Sequence, residues 1–227
     1  MSGPLAWHRF ETLSDASEAL AEAVAIGLRE AIDRRGSASL AVPGGKTPGG
    51  FLAALGAQDL AWDKVLLMPT DERFVSRDDP ASNERMIRAA FGPLADGRTQ
   101  FLSFHDRGDT LENAADALSR ALGAVPPLDI LVSGMGADGH IASLFPGDEA
   151  ALSAPASAEI VPGRPQDLPP RLSLSSRRLA EAGWAALLIA GADKEEALAS
   201  AQELPGAFPV GLLLSRAQGL DVYWAKA

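Results

Sequence analysis

The residue types able to do chemistry gather in a few short segments of this chain. The longest is Ser133-Gly134-Met135-Gly136-Ala137-Asp138-Gly139-His140-Ile141-Ala142-Ser143-Leu144-Phe145-Pro146-Gly147. His140 sits in a glycine-rich turn, with Asp138 two residues before it. Neutral imidazole is a base near pH 7, and a neighbouring carboxylate orients or tunes it. A hydrogen-bonded structural role is the other use of a lone histidine, and both stay open here. GMGADG satisfies GxGxxG formally. It opens no clear helix, however, and no acid ends a second strand about 20 residues further on, as a dinucleotide site needs.

Pro43-Gly44-Gly45-Lys46-Thr47-Pro48-Gly49-Gly50 follows an apolar run. Two glycines there let backbone N–H groups converge on an anion, and Pro48 suits the first turn of a helix. An ordinary turn fits as well. A Walker A motif does not, because GxxxxGK[ST] requires glycine where this chain has Leu40. Pro69-Thr70-Asp71-Glu72-Arg73-Phe74-Val75 closes another apolar run. Asp71 and Arg73 either form a solvated turn or face a ligand at a strand's carboxyl end. Arg171 and Lys194, taken singly, are ordinary surface cations.

Other chemistries are closed off by composition. The chain has no cysteine, which removes disulfides, a thiol nucleophile and Cys-ligated metals. It contains no GxSxG elbow. With three histidines, a His-rich metal site is not expected, and His8 and His105 lie outside every motif.

Elements that position these loops follow from apolar patterning. Residues 37–42, 64–68, 129–132, 184–190 and 210–214 are short, nearly continuous apolar runs, as in strands covered on both faces. Between them, Asp15–Arg35 carries Leu20, Val24, Leu28 and Ile32 on one helical stripe. Asp15 and Glu18 are expected to form its capping box, and Gly36 its C-terminal turn. Helices are also expected over Asp109–Leu122 and, opened by an Asp cap, over Asp193–Leu204. The alternation predicts an α/β fold, an open doubly wound and mainly parallel sheet flanked by helices, in one domain spanning 1–227. Ser153–Pro170, rich in Ala and Pro, is expected to be a surface excursion.

The 227 residues carry 20 basic and 30 acidic side chains, a formal charge of −10. Such a field repels nucleic acid and anionic membranes, so neither is an expected partner. No run approaches the roughly 20 apolar residues of a membrane span, and the start lacks the pattern of a secretory signal. A cytoplasmic protein is expected.

Together, PGGKTP, TDERFV, Ser82-Asn83-Glu84-Arg85-Met86, GMGADGHIASLFPG and AGADK resemble the family of 6-phosphogluconolactonases and glucosamine-6-phosphate deaminases. The resemblance runs over about residues 40–195 and implies the Rossmann-like fold of the sugar-phosphate isomerases. It also implies hydrolysis of 6-phospho-D-glucono-1,5-lactone without metal or organic cofactor. His140 would be the base that activates water, with Asp138 beside it. Asp71 and Arg73 would line the reacting end of the sugar. Gly44, Gly45, Thr47, Arg171 and Lys194 would hold the phosphate. Where the family loop commonly begins with serine, this chain has Pro43, which lacks a side-chain donor and an N–H. The deaminase branch continues its histidine motif with Phe-Asn-Glu-Pro, whereas this chain reads Ser-Leu-Phe-Pro, with Phe145 at the position of the Glu. Deaminases also usually carry an aromatic where Arg73 stands. A sugar-phosphate sensor would add a basic helix-turn-helix, for which the residues before the first expected strand leave one amphipathic helix.

Overall fold

The fold is that of a computed structural model, and it describes residues 3–155, 157–163 and 168–226. Strands and helices are numbered in chain order. Seven strands form the main sheet: β1 (Leu5–Phe10), β2 (Ala38–Val42), β3 (Val65–Pro69), β5 (Gln100–Phe101), β6 (Ile130–Ser133), β9 (Trp184–Ala190) and β10 (Leu220–Ala225). Their order is β1-β10-β9-β6-β2-β3-β5, and every pairing is parallel. A smaller antiparallel sheet has the order β4 (Asp71–Arg73), β8 (Arg171–Leu174), β7 (Ile160–Gly163).

The apolar runs are continuous because successive side chains enter two cores. Leu40 and Val42 of β2, Ile130 and Val132 of β6, and Ala186 and Leu188 of β9 face one core. Their neighbours Ala41, Leu131, Ala185 and Leu187 face the other. The first core is closed by α1 (Leu13–Arg35), α2 (Gly49–Gly56), α3 (Asn83–Ala90) and α4 (Gly92–Ala95). The second is closed by α5 (Leu111–Gly123), α6 (Glu149–Leu152), α7 (Ser176–Ala180), α8 (Ala192–Glu203), α9 (Gly211–Leu214) and the small sheet. Helices on both faces of a parallel sheet make this an open, doubly wound α/β fold.

Several local expectations are corrected. The run 210–214 is not a strand: Val210 caps α9, Gly211–Leu214, because five apolar residues suit a buried helical turn as well as a strand. The first strand is β1, which precedes α1 and pairs with β10 at the sheet edge. Helix α1 is capped by Thr12, whose Oγ1 accepts from the Asp15 N–H and donates to the Asp15 carboxylate. The N-cap is thus Thr12, one turn before the expected box of Asp15 and Glu18. Gly36 does end α1, at φ 79°. Gly191, not Asp193, holds the N-cap position of α8. Thr110 caps α5, which starts at Leu111. The segment 153–170 is no mere surface excursion, since Ile160 and Val161 of β7 are buried in the second core. Residues 156 and 164–167 lie outside the described residues.

Candidate active site

The strand order places the site. From β2 the chain proceeds outward through β3 to β5, then returns to the other side of β2 at β6. The loops leaving β2 and β6 therefore part at the carboxyl rim and flank a crevice, where ligands of such sheets bind. A cleft of about 220 Å³ lies there, lined by Gly44, Gly45, Thr47, Asp71, Arg73, His140, Arg171 and Lys194. Those expected residues come together in one cleft, and Asp138 reaches it through His140.

The histidine is oriented. His140 Nδ1 lies 2.6 Å from Asp138 Oδ1, which also accepts the His140 backbone N–H at 3.1 Å. Burial raises the Asp138 pKa, but the backbone N–H and imidazole of His140 outweigh it and hold it below its ordinary value. An ionised carboxylate only accepts, so Nδ1 carries a ring proton, and in the neutral imidazole the lone pair is then on Nε2. The ring packs on Phe145 with centroids 4.6 Å apart. Its side chain remains 31% exposed, which leaves it open to water.

Asp71 is buried in the lining of the same cleft. Its carboxylate accepts from Ser143 Oγ at 2.5 Å, Thr70 Oγ1 at 3.2 Å and Asn83 Nδ2 at 3.3 Å. Asn83 Nδ2 also donates to the Asp71 carbonyl at 2.7 Å. Arg73 and Arg171 stand directly opposite each other across the β4–β8 ladder. Arg73 Nη1 donates to the Ala81 carbonyl at 2.6 Å. The Nε of each arginine is buried without a protein partner among the described residues. Burial and the neighbouring Arg73 lower the Arg171 pKa, partly offset by Asp71, whose Oδ2 lies 3.9 Å from Nη1. The Arg171 guanidinium also covers the Phe145 ring at 5.4 Å. Like charges opposed in a sheet are unfavourable, and an anion between them removes the repulsion.

The glycine loop completes the cleft. Gly45 has φ 94°, a left-handed conformation that a side chain resists. A Cβ on Gly44 would fall 1.9 Å from Asn83 Oδ1, so this loop needs glycine to approach Asn83. Lys194 projects from the first turn of α8, with Nζ 3.8 Å from Asp193 Oδ2.

Sequence patterning missed Asn83 and Ser143 as partners of Asp71, and it left His105 outside every motif. Instead, His105 Nε2 lies 3.1 Å from Glu72 Oε2 and 3.1 Å from Ser82 Oγ, behind the cleft. Burial raises the Glu72 pKa, but His105 and the N–H groups of Glu84, Asn83 and Arg73 outweigh it and lower it. For His105 burial works downward, and the Glu72 carboxylate outweighs it and raises the pKa. Among the described residues no group of three or more His, Asp or Glu is placed to hold a metal, and no helix is long and apolar enough to cross a membrane.

The family profile of glucosamine-6-phosphate isomerases and 6-phosphogluconolactonases matches residues 11–224, and the chain belongs to this enzyme family. Within it, the chain is 40% identical to a 6-phosphogluconolactonase of Mesorhizobium japonicum, over 96% of this chain and 94% of that protein. A 6-phosphogluconolactonase of Rhizobium meliloti is 39% identical, over 96% of this chain and 97% of the relative. The crystal structure of a 6-phosphogluconolactonase from Shewanella baltica superposes with a TM-score of 0.91 at 32% identity, covering 99% of both chains. A monomeric glucosamine-6-phosphate deaminase shares the fold, with a TM-score of 0.79 at 20% identity over 96% of each chain.

The buried pair gives stability a definite pH dependence. Glu72 lies below its ordinary 4.5, so its contribution is complete above 4.5 and is lost as pH falls through the lower folded value. His105 lies above its ordinary 6.5, so its contribution is complete below 6.5 and fades as pH rises through the folded value. Urea denaturation across pH is expected to show the largest gap between wild type and His105→Gln between 4.5 and 6.5. A gap that widens above pH 8, by any measurable amount, contradicts the pairing.

Proposed function

We propose that this protein hydrolyses 6-phospho-D-glucono-1,5-lactone to 6-phospho-D-gluconate, through one α/β lactonase domain spanning 1–227, as a cytoplasmic enzyme of the oxidative pentose phosphate pathway. The observation that carries the proposal is one cleft whose lining joins an oriented imidazole with three cations, Arg73, Arg171 and Lys194. A lactone is an activated ester, so catalysis needs a deprotonated water and one steadied oxyanion.

In this mechanism His140 Nε2 removes a proton from water as its oxygen attacks the lactone carbonyl carbon. Asp138 holds Nδ1–H and balances the imidazolium that forms. The tetrahedral intermediate collapses by breaking the bond to the ring oxygen, which takes the proton back from Nε2. The new carboxylic acid then ionises. Arg73 binds substrate at its reacting end, and a fixed cation there is worth about 3 kcal/mol to a developing oxyanion. Gly44, Gly45, Thr47, Arg171 and Lys194 hold the phosphate. Asp71 fixes the wall between them through Ser143 and Asn83. Phe145 supports this branch over the deaminases, because its ring packs under His140 and Arg171 and transfers no proton.

Removing a general base typically costs about 10²–10⁴-fold, so His140→Ala is expected to lose kcat by that order and still bind 6-phosphogluconate. The assay uses freshly made lactone, corrected for spontaneous opening. A folded His140→Ala enzyme at close to the wild-type rate refutes the mechanism.

Arg171→Ala and Lys194→Ala are expected to weaken the phosphorylated substrate by about 10- to 150-fold each in kcat/KM, the worth of a charge-assisted contact. Inorganic phosphate should compete in wild type. If both variants bind 6-phosphogluconate as wild type does, the phosphate pocket lies elsewhere.

No cofactor enters the steps above, and preincubation with EDTA is expected to leave the rate unchanged. Activity lost in EDTA and restored by a divalent cation speaks against an unassisted imidazole.

A further inference from the structure

Glu72 is 1% exposed, yet its carboxylate is met by five donors from three parts of the chain. Oε1 accepts the backbone N–H of Arg73 at 2.8 Å and of Asn83 at 2.7 Å. Oε2 accepts the Glu84 N–H at 2.7 Å, Ser82 Oγ at 3.2 Å and His105 Nε2 at 3.1 Å. We infer that Glu72 is a positioning residue for the proposed hydrolysis: its carboxylate ties the Arg73 backbone to the start of α3, holding Arg73 and Asn83 at the cleft wall. The inference rests on the lactonase reading above.

The geometry makes the tie specific. Between β4 and α3 the chain runs through turns and bends, residues 74–82, which do not by themselves fix the distance between the two elements. Glu72 spans that gap directly. On the α3 side, Asn83 then reaches Asp71 and closely meets Gly44, while the adjoining Ala81 carbonyl receives Arg73. One carboxylate thus sets the mutual placement of an arginine, an aspartate and the glycine loop.

A helix start alone does not require this. Ser82 Oγ already accepts the Arg85 N–H at 3.1 Å as an ordinary cap. A buried carboxylate is costly to desolvate, and an apolar side chain of similar size is often as stabilising. The surroundings nevertheless compensate the charge. His105 aims Nε2 at the carboxylate, its backbone N–H is held by Ser103 Oγ at 3.1 Å, and Ser103 in turn donates to buried Glu84. Arg77 and Arg88 balance Glu84 from the far side.

The test compares wild type, Glu72→Gln and His105→Leu well below their melting temperatures. Steady-state kinetics on the phosphorylated lactone are paired with calorimetric binding of 6-phosphogluconate. In Glu72→Gln an amide donor meets the N–H of Glu84, and displaced binding groups are expected to raise KM and Kd by about 10- to 100-fold. His105→Leu removes one of the five donors, and about a tenfold rise is expected. A merely structural role lowers the folded fraction and apparent kcat, leaving KM and Kd alone. The inference is overturned if KM and Kd stay within about twofold of wild type in folded Glu72→Gln or, should that variant not fold, in His105→Leu. A wild type that neither turns over the lactone nor binds 6-phosphogluconate sinks the lactonase reading and this inference with it. An active wild type with unperturbed variants overturns this inference alone.

Discussion

Everything at the site depends on the reversal of strand order at β2. All seven strands of the main sheet run parallel, so their carboxyl ends share one rim. Only beside β2 do successive loops turn to opposite faces, because the chain moves outward through β3 and comes back at β6. The glycine loop after β2 and the histidine loop after β6 therefore open a crevice between them. Continuous apolar strands are what make this possible, since helices must cover both faces before loops of both faces meet at one place.

The small antiparallel sheet adds what the parallel sheet cannot. Pairing β4 with β8 brings Arg73 and Arg171 into register, although they lie far apart in the chain. In a protein of net charge −10, an anion site has to be local. Arg73 and Arg171 in register, with Lys194 in the lining of the same cleft, create that local field against the average one. Asp71 and the face of Phe145 keep Arg171 in place while leaving its Nε unpartnered among the described residues. Positive charge gathered at one point of an acidic protein favours an anion there over the rest of the surface.

How much of this was legible in sequence follows from the range of each interaction. Strands β2, β3, β6 and β9 were readable because burial on both faces leaves an unbroken apolar run. Edge strand β1 carries His8 and Arg9, so its run is broken, and the apolar turn of α9 imitates a strand. The loops with Gly44 and His140 stood out because their glycines and histidine are local to each motif, whereas Lys194 taken singly is an ordinary surface cation. Contacts between motifs were not. Ser143 meets Asp71 across 72 positions, and His105 meets Glu72 across 33. No local pattern encodes either pairing, since both arise only when the small sheet and α3 dock on the rim.

The two histidine–carboxylate pairs show how burial divides one chemistry into two tasks. His140 and Asp138 are 31% and 52% exposed, whereas His105 and Glu72 are 6% and 1% exposed. In the open pair the carboxylate fixes one ring nitrogen and the ring stays exposed to water, as the proposed proton transfer requires. In the closed pair the imidazole nitrogen itself points at the carboxylate, alongside four further donors, so the proton is held. A base must be able to lose and regain its proton on each turnover, while a brace must not. Exposure of the imidazole, more than its partner, therefore separates the residue that does the proposed chemistry from the one that holds its neighbours in place.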